Sequence, residues 1–204
     1  CDIEEKCGNL DFEDPRIRVV VGDVLNVETL KEIKQISPEY SIIIDDGSHK
    51  SSDIIKTFGG YFPLLEFGGI YIVEDLHASY WSLFEGGLYE PFSSKAFFCR
   101  LVDLLNFEHW HGRTNRLAYL EPFFSQYCFV IHEQDLGTLH SIKFLNSLCI
   151  IRKESPEKNH LGLRYVTGIT ELVTENWNKN NHTCIHDIAS VWSDETENDP
   201  YEIV

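Results

Sequence analysis

Two short apolar runs, each followed at once by carboxylates, are the clearest feature of the hydrophobic pattern. Ser41 to Asp45 leads into Asp46-Gly-Ser-His49, and Gly69 to Val73 leads into Glu74-Asp75. Runs of this length, rich in isoleucine and valine and bounded by glycine, predict buried β-strands. We therefore expect two strands whose carboxyl ends are acidic.

Segments with a helical spacing of apolar residues lie between the strand-like runs. Val27 to Ile36 and Ser52 to Phe67 both show this spacing, and Arg16 to Asp23 is a further β-branched run that predicts another strand. Strands that alternate with helices of this length are typical of βαβ units and a parallel sheet. The pattern predicts an α/β fold.

The pattern changes after Asp75. The aromatic, glycine-rich stretch 77–92 predicts a loop over the carboxyl edge of the sheet, and Ser93 to Trp110 resumes a helical period. Two more strand candidates, Leu139 to Phe144 and Leu148 to Arg152, are separated by a spacing typical of a β-hairpin.

Composition limits the domain organisation and the partners. The chain has 204 residues with 43% hydrophobic content, which is enough for one domain with a sizeable core. We expect this domain over residues 1–153 and a polar, acidic extension over residues 154–204, whose last dozen or so residues should be mobile.

The formal net charge of -16 argues against nucleic acid as a partner. No apolar run approaches the roughly 20 residues of a membrane span, and the first residues contain no basic segment that leads into an apolar stretch, so we expect a cytoplasmic protein without a membrane partner.

The acidic strand ends predict a metal site. Ligands bind beyond the carboxyl ends of parallel strands, so Asp46, Glu74 and Asp75 are expected to converge. Close carboxylates repel one another unless a cation neutralises them, and oxygen ligands favour Mg²⁺. His49 follows Asp46 by one turn of chain and is a candidate base. Each residue alone also fits a plainer role, as a helix cap or a surface side chain.

Three segments together resemble a known enzyme family. Asp45-Asp-Gly-Ser-His49, Gly69-Ile-Tyr-Ile-Val-Glu-Asp75 and the stretch from Ser141 to Arg152 are similar to the metal-dependent sugar O-methyltransferases of macrolide biosynthesis, which are class I S-adenosylmethionine methyltransferases. The likeness covers roughly residues 1–153. It implies a Rossmann-like sheet that ends in an antiparallel hairpin, with S-adenosylmethionine and Mg²⁺ as cofactors. It also implies that the acceptor is a sugar hydroxyl of a glycosylated natural product or saccharide.

The resemblance assigns roles to the residues at the strand ends. It implies that Asp46, Glu74 and Asp75 are the Mg²⁺ ligands and that His49 is the catalytic base that removes a proton from the acceptor hydroxyl. A Lewis-acidic metal and a nearby imidazole are the groups that methylation of a weakly acidic hydroxyl requires.

The resemblance also implies a cofactor site. Asp2 would bind the ribose, Gly22 and Asp23 would border the adenine, and Asp45 would line the cofactor side of the site. In the family, the first strand and a glycine-rich cofactor loop come just before the position of Cys1, and no such loop occurs in this sequence. We therefore expect the chain to be a fragment that lacks the first strand.

Two other functions stay open from the sequence. Adjacent oxygens on any scaffold can chelate a metal, so a catechol-like diol is an alternative acceptor. The absent glycine-rich loop is also compatible with a catalytically silent, methyltransferase-like interaction module. The oligomeric state is undetermined, and a homo-oligomer is compatible with the sequence.

Overall fold

The structure is a computed structural model and describes residues 1–110, 114–168, 170, 179 and 181–184. The chain divides into two compact units, one of residues 1–105 and 116–159 and the other of residues 106–115 and 160–204. The first unit carries all the elements discussed below. The domain boundary expected at residue 153 stays a prediction. The predicted mobile end of the chain lies outside the described residues.

A mixed four-stranded sheet forms the centre of the first unit. Its strands are β1 (Tyr40–Asp45), β2 (Leu65–Val73), β3 (Leu139–Leu145) and β4 (Leu148–Lys153). Across the described residues their order is β1-β2-β4-β3. The β1–β2 pair is parallel, with Asp45 opposite Val73, whereas β4 runs antiparallel to both of its neighbours. The carboxyl ends of β1 and β2 therefore meet at one edge.

Five α-helices accompany the sheet in the described residues. They are α1 (Val27–Ile36), α2 (Ser51–Tyr61), α3 (Ser94–Leu104), α4 (Arg116–Tyr127) and α5 (Glu133–Leu136). The amino ends of α2 and α3 are joined by a hydrogen bond from the backbone N–H of Ser94 to Oγ of Ser51, at 2.9 Å. None of the helices in the described part of the chain combines the length and the apolarity that a membrane span requires.

Aromatic residues hold α2 and α3 against the sheet. The fully buried ring of Phe58 on α2 contacts Tyr71 on β2 with ring centroids 5.4 Å apart, and it contacts Phe97 and Phe98 on α3 at 5.7 and 5.5 Å. All three contacts are edge-to-face, an arrangement that aromatic quadrupoles favour. This packing fixes the position of α2, which begins at Ser51, two residues after His49.

The structure corrects two of the predicted elements. Arg16 to Asp23 forms no strand, because its backbone pairing is limited to a single parallel bridge between Val21 and Asp2. The predicted helix from Ser52 to Phe67 ends at Tyr61, since Pro63 supplies no backbone donor and the chain forms a short 3-10 turn before β2. From Leu65 onwards the chain pairs with β1 as strand β2, although the spacing of its apolar residues up to Phe67 had predicted a helix.

The helical region after the loop also differs from the prediction. The helix predicted over Ser93 to Trp110 ends at Leu104, and α4 and α5 were not predicted. The sequence contains a signal for α4, because the apolar residues Leu120 and Phe123 lie three positions apart, as on one face of a helix. The structure buries both side chains.

Candidate functional site

Three side chains converge where β1 and β2 end. Nε2 of His49 lies 3.9 Å from Oδ1 of Asp46 and 3.8 Å from Oδ2 of Asp75. One potential ligand atom from each residue lies within 4.8 Å of the other two. Asp46 and Asp75 are exposed over 61% and 50% of their side chains, so the cluster is open to solvent and to a ligand.

The local backbone explains how a histidine enters this cluster. His49 and Asp75 both adopt left-handed conformations, with φ of 61° and 51°. These conformations are uncommon for residues other than glycine. They turn the chain sharply after each strand, so the imidazole faces back towards both carboxylates. The ring of His49 also meets Phe84 edge-on at 6.2 Å.

Glu74 is placed differently from the sequence-based expectation. Its backbone N–H donates to the carbonyl oxygen of Asp45 at 2.9 Å, continuing the β1–β2 pairing by one step. Its carboxylate does not belong to the group of ligand atoms formed by Asp46, His49 and Asp75. Two of the three predicted metal ligands are therefore brought together with the predicted base.

A cavity of about 260 Å³ adjoins the cluster on the side of β1. Its lining includes Asp2, Gly22, Asp23 and Asp45, the four residues expected at a cofactor site, and it also includes Asp46. The backbone pairing between Asp2 and the segment around Val21 builds one wall, since the N–H of Gly22 donates to the carbonyl oxygen of Asp2 at 2.8 Å.

Gly22 allows the side chain of Thr29 to approach the backbone of this cavity wall closely. A Cβ atom at this position would lie 2.4 Å from Oγ1 of Thr29, closer than non-bonded atoms approach. The first turn of α1 therefore packs directly against the Gly22 backbone.

Asp45 is a buried carboxyl group between the cavity and the core. Its Oδ2 accepts a hydrogen bond from the hydroxyl of Tyr71 at 3.1 Å. Burial raises the pKa of Asp45 to about 6, although the hydrogen bonds from Tyr71 and from the Gly47 backbone partly oppose this shift. Burial, followed by the charge of Asp45, also raises the pKa of Tyr71.

Asp45 predicts a pH dependence of stability in the metal-free protein. A carboxyl group with a raised pKa in the folded state favours its protonated form there, so the free energy of unfolding should fall as the pH rises from about 4 to 6 and level off above that. The contribution of this one group should be about 3 kcal/mol. Denaturant titrations in the presence of a chelator, at several pH values, measure it.

Asp45→Asn is the matched variant for this measurement. It removes the titrating group while keeping the size of the side chain, so its stability should fall less steeply over the same pH range than that of the wild type. Equal slopes for the two proteins would show that folding does not raise the pKa of Asp45.

The chain is similar in sequence to known O-methyltransferases. No family model matches the chain. It is 38% identical over 106 residues to 8-demethyl-8-alpha-L-rhamnosyl tetracenomycin-C 2'-O-methyltransferase of Streptomyces olivaceus, a match that covers 52% of this chain and 28% of the relative. It is 39% identical over 85 residues to demethylmacrocin O-methyltransferase of Streptomyces fradiae, covering 42% of this chain and 21% of that protein.

A third relative and the solved structures agree with these matches. Mycinamicin VI 2''-O-methyltransferase of Micromonospora griseorubida is 37% identical over 79 residues, covering 39% of this chain and 20% of that protein. MycE methyltransferase from the mycinamycin biosynthetic pathway, solved in complex with Mg, SAH and mycinamycin VI, superposes with a TM-score of 0.60 at 20% identity. That match covers 87% of this chain and 39% of MycE.

The match to a solved structure identifies the fold. The mixed sheet with its terminal antiparallel hairpin is the fold of the MycE methyltransferase, so the expected α/β methyltransferase fold is confirmed. Within that class, the sequence is similar to sugar O-methyltransferases, as the resemblance of the motifs implied. The chain spans 20–28% of the length of these curated relatives.

Proposed function

We propose that this chain is part of an S-adenosylmethionine- and Mg²⁺-dependent O-methyltransferase that acts on a sugar hydroxyl of a glycosylated natural product or saccharide. The observation that carries the proposal is the position of Asp46. This residue belongs both to the cluster with His49 and Asp75 and to the lining of the cavity. A methyl donor in the cavity and an acceptor at the cluster would therefore lie next to each other.

The residues at the strand ends fit a divalent cation. Asp46 and Asp75 contribute carboxylate oxygens on two adjacent strand ends, and their exposure leaves room for water or substrate oxygens, which Mg²⁺ retains in most protein sites. Glu74 lies beside them in sequence and remains a proposed third ligand. When bound, Mg²⁺ supplies Lewis acidity, which makes a sugar hydroxyl more acidic and more nucleophilic.

The residues of the cavity fit a ribose-containing cofactor. Oδ1 of Asp2 accepts from the backbone N–H of Glu4 at 2.8 Å, and Oδ1 of Asp23 accepts from the N–H of Leu25 at 2.9 Å. These bonds orient both carboxylates and leave each with a second oxygen that can accept from a hydroxyl. S-adenosylmethionine supplies the electrophilic methyl group.

His49 is placed to accept the proton that the acceptor hydroxyl loses. Its Nε2 lies just under 4 Å from a carboxylate oxygen of Asp46 and from one of Asp75. Imidazole is the side chain that most often accepts a proton in general base catalysis. We therefore assign His49 as the general base.

An exposed aromatic surface adjoins His49 and is proposed to bind the apolar part of the acceptor. Trp81 lies 6.1 Å from Phe84, which in turn contacts His49. Trp81 is exposed, and aromatic faces of this kind pack against sugar rings and apolar rings.

Methyl transfer tests the proposal directly. The protein, expressed from its complete gene, should transfer a labelled methyl group from S-adenosylmethionine to a glycosylated acceptor, and the label should be located on a sugar hydroxyl by mass spectrometry. A chelator should stop the reaction, and added Mg²⁺ should restore it. Transfer that is indifferent to the chelator, or a preference for catechol over every glycosylated compound tested, would contradict the proposal.

A further inference from the structure

The tight turn of the β3–β4 hairpin lies against the metal-site residue Asp75. Antiparallel pairing places Cys149 on β4 opposite Val73 on β2, so the turn formed by Asn146 and Ser147 reaches the carboxyl end of β2. The carbonyl oxygen of Ser147 accepts from the backbone N–H of Leu76 at 2.9 Å. The turn is therefore fixed directly beside Asp75.

Two polar side chains form a hydrogen-bonded chain that ends on Asp75. Nδ1 of His77 lies 2.6 Å from Oγ of Ser147, and this hydroxyl donates to Oδ1 of Asp75 at 3.4 Å. A serine hydroxyl has one proton and an ionised carboxylate has none. In the His77 tautomer that carries its proton on Nδ1, the hydrogen bonds run from His77 through Ser147 to the carboxylate.

The two oxygens of Asp75 have different surroundings. Oδ1 accepts from Ser147, and it also lies 3.8 Å from Nδ1 of His77. Oδ2 faces the cluster, 3.8 Å from Nε2 of His49. A hydrogen bond to one oxygen restricts rotation of the carboxylate plane and thereby sets the direction of the other oxygen.

The ring of His77 is itself held in place. It meets the indole of Trp81 edge-on with ring centroids 4.9 Å apart. Ser147 is fixed by its backbone bond to Leu76. Both members of the chain are thus positioned independently of Asp75, as a support for a ligand must be.

We propose that Ser147, backed by His77, is a positioning residue that orients the carboxylate of Asp75 for cation binding. The inference rests on the proposed function of the Asp46–His49–Asp75 cluster as a divalent cation site. It adds to that function a contribution from the β3–β4 hairpin, whose Ser147 lies 72 residues from Asp75 in sequence.

The backbone at Ser147 makes a sharp test possible. Ser147 has φ of 69°, a conformation that glycine adopts more readily than any other residue. Ser147→Gly removes the hydroxyl without disturbing the turn, so the melting temperature of the metal-free protein should be unchanged or higher. The Kd for Mn²⁺, used as a spectroscopic probe for Mg²⁺ and followed by electron paramagnetic resonance, should rise about 10-fold.

A matched variant supplies the control. Asparagine also tolerates a positive φ and keeps an N–H donor near the position of the hydroxyl, so Ser147→Asn should recover most of the Mn²⁺ affinity. His77→Phe keeps the ring contact with Trp81 and removes Nδ1, and it should weaken Mn²⁺ binding in the same direction as Ser147→Gly. A purely structural role for Ser147 predicts no change of Mn²⁺ affinity in a variant that is at least as stable as the wild type.

The outcomes separate the two proposals. Failure of the wild-type protein to bind Mn²⁺ would overturn the proposed cation site itself. Normal binding by the wild type, with the same Kd in Ser147→Gly, would overturn only the positioning role of Ser147. Equal loss in the glycine and asparagine variants would also count against it, because the donor would then be irrelevant.

Discussion

Replacing His49 with alanine should lower the rate of methyl transfer by about 100-fold or more and leave the affinity for Mg²⁺ nearly unchanged. The reason is the position of Nε2, which lies between a carboxylate oxygen of Asp46 and one of Asp75 and can take up a proton there. The carboxylates that bind the cation remain in the variant. Turnover with a glycosylated acceptor and Mg²⁺ titration by calorimetry measure the two effects separately.

This experiment distinguishes a base from a metal ligand. The distances alone permit either role, because Nε2 of His49 is one of the three clustered ligand atoms. A large loss of Mg²⁺ affinity in His49→Ala would make His49 a ligand and would leave the base unassigned. His140→Ala is a suitable control, since this exposed histidine on β3 bonds Asn159 and does not belong to the cluster.

The second large effect is expected for Asp46. Saturating Mg²⁺ should stabilise the wild-type protein by mass action, by about 2.7 kcal/mol at a concentration 100 times the Kd, and Asp46→Asn should abolish this stabilisation. The asparagine keeps the shape of the side chain but loses the negative charge that a hard cation requires. Thermal unfolding with increasing Mg²⁺ measures the effect.

Two further variants complete this test. Glu39→Gln removes one charge just before β1, on an exposed residue away from the cluster, and it should respond to Mg²⁺ as the wild type does. Glu74→Gln tests the remaining ligand implied by the sequence. A loss equal to that of Asp46→Asn would show that the Glu74 carboxylate also binds the cation, whereas an unchanged response in Asp46→Asn would exclude Asp46 from the site.

Local patterns in the sequence were sufficient for several elements. The apolar spacing of α1 predicted its bounds, and the acidic ends of β1 and β2 predicted that Asp46 and Asp75 lie close together. Helix periodicity is a property of neighbouring residues, and the meeting of Asp46 and Asp75 follows from the general rule that the ends of parallel strands lie at one edge of a sheet.

Other features depended on pairing between distant segments. The run from Arg16 to Asp23 has the composition of a strand, but its pairing is limited to one bridge with Asp2. The place of Ser147 beside Asp75 follows from β4 pairing with β2, which the hairpin spacing alone does not predict. The left-handed conformation of His49, which directs its ring into the cluster, was likewise not evident from composition.

The residues assigned to the cofactor site were predicted from the motif resemblance, but only the structure shows how they come together. Asp2, the pair Gly22-Asp23 and Asp45 come from three separate parts of the sequence, yet all four residues line one cavity. The motif resemblance identified them, and the structure explains their proximity through the bridge between Asp2 and Val21. Their contacts with S-adenosylmethionine remain a prediction.

The positive φ angles of His49 and Asp75 carry a consequence for protein engineering. A search for stabilising substitutions would select glycine at both positions, because it relieves an unfavourable backbone conformation. Each replacement would gain thermal stability and would remove a functional group from the proposed site. These two positions are therefore where selection for robustness and selection for turnover should oppose each other most directly.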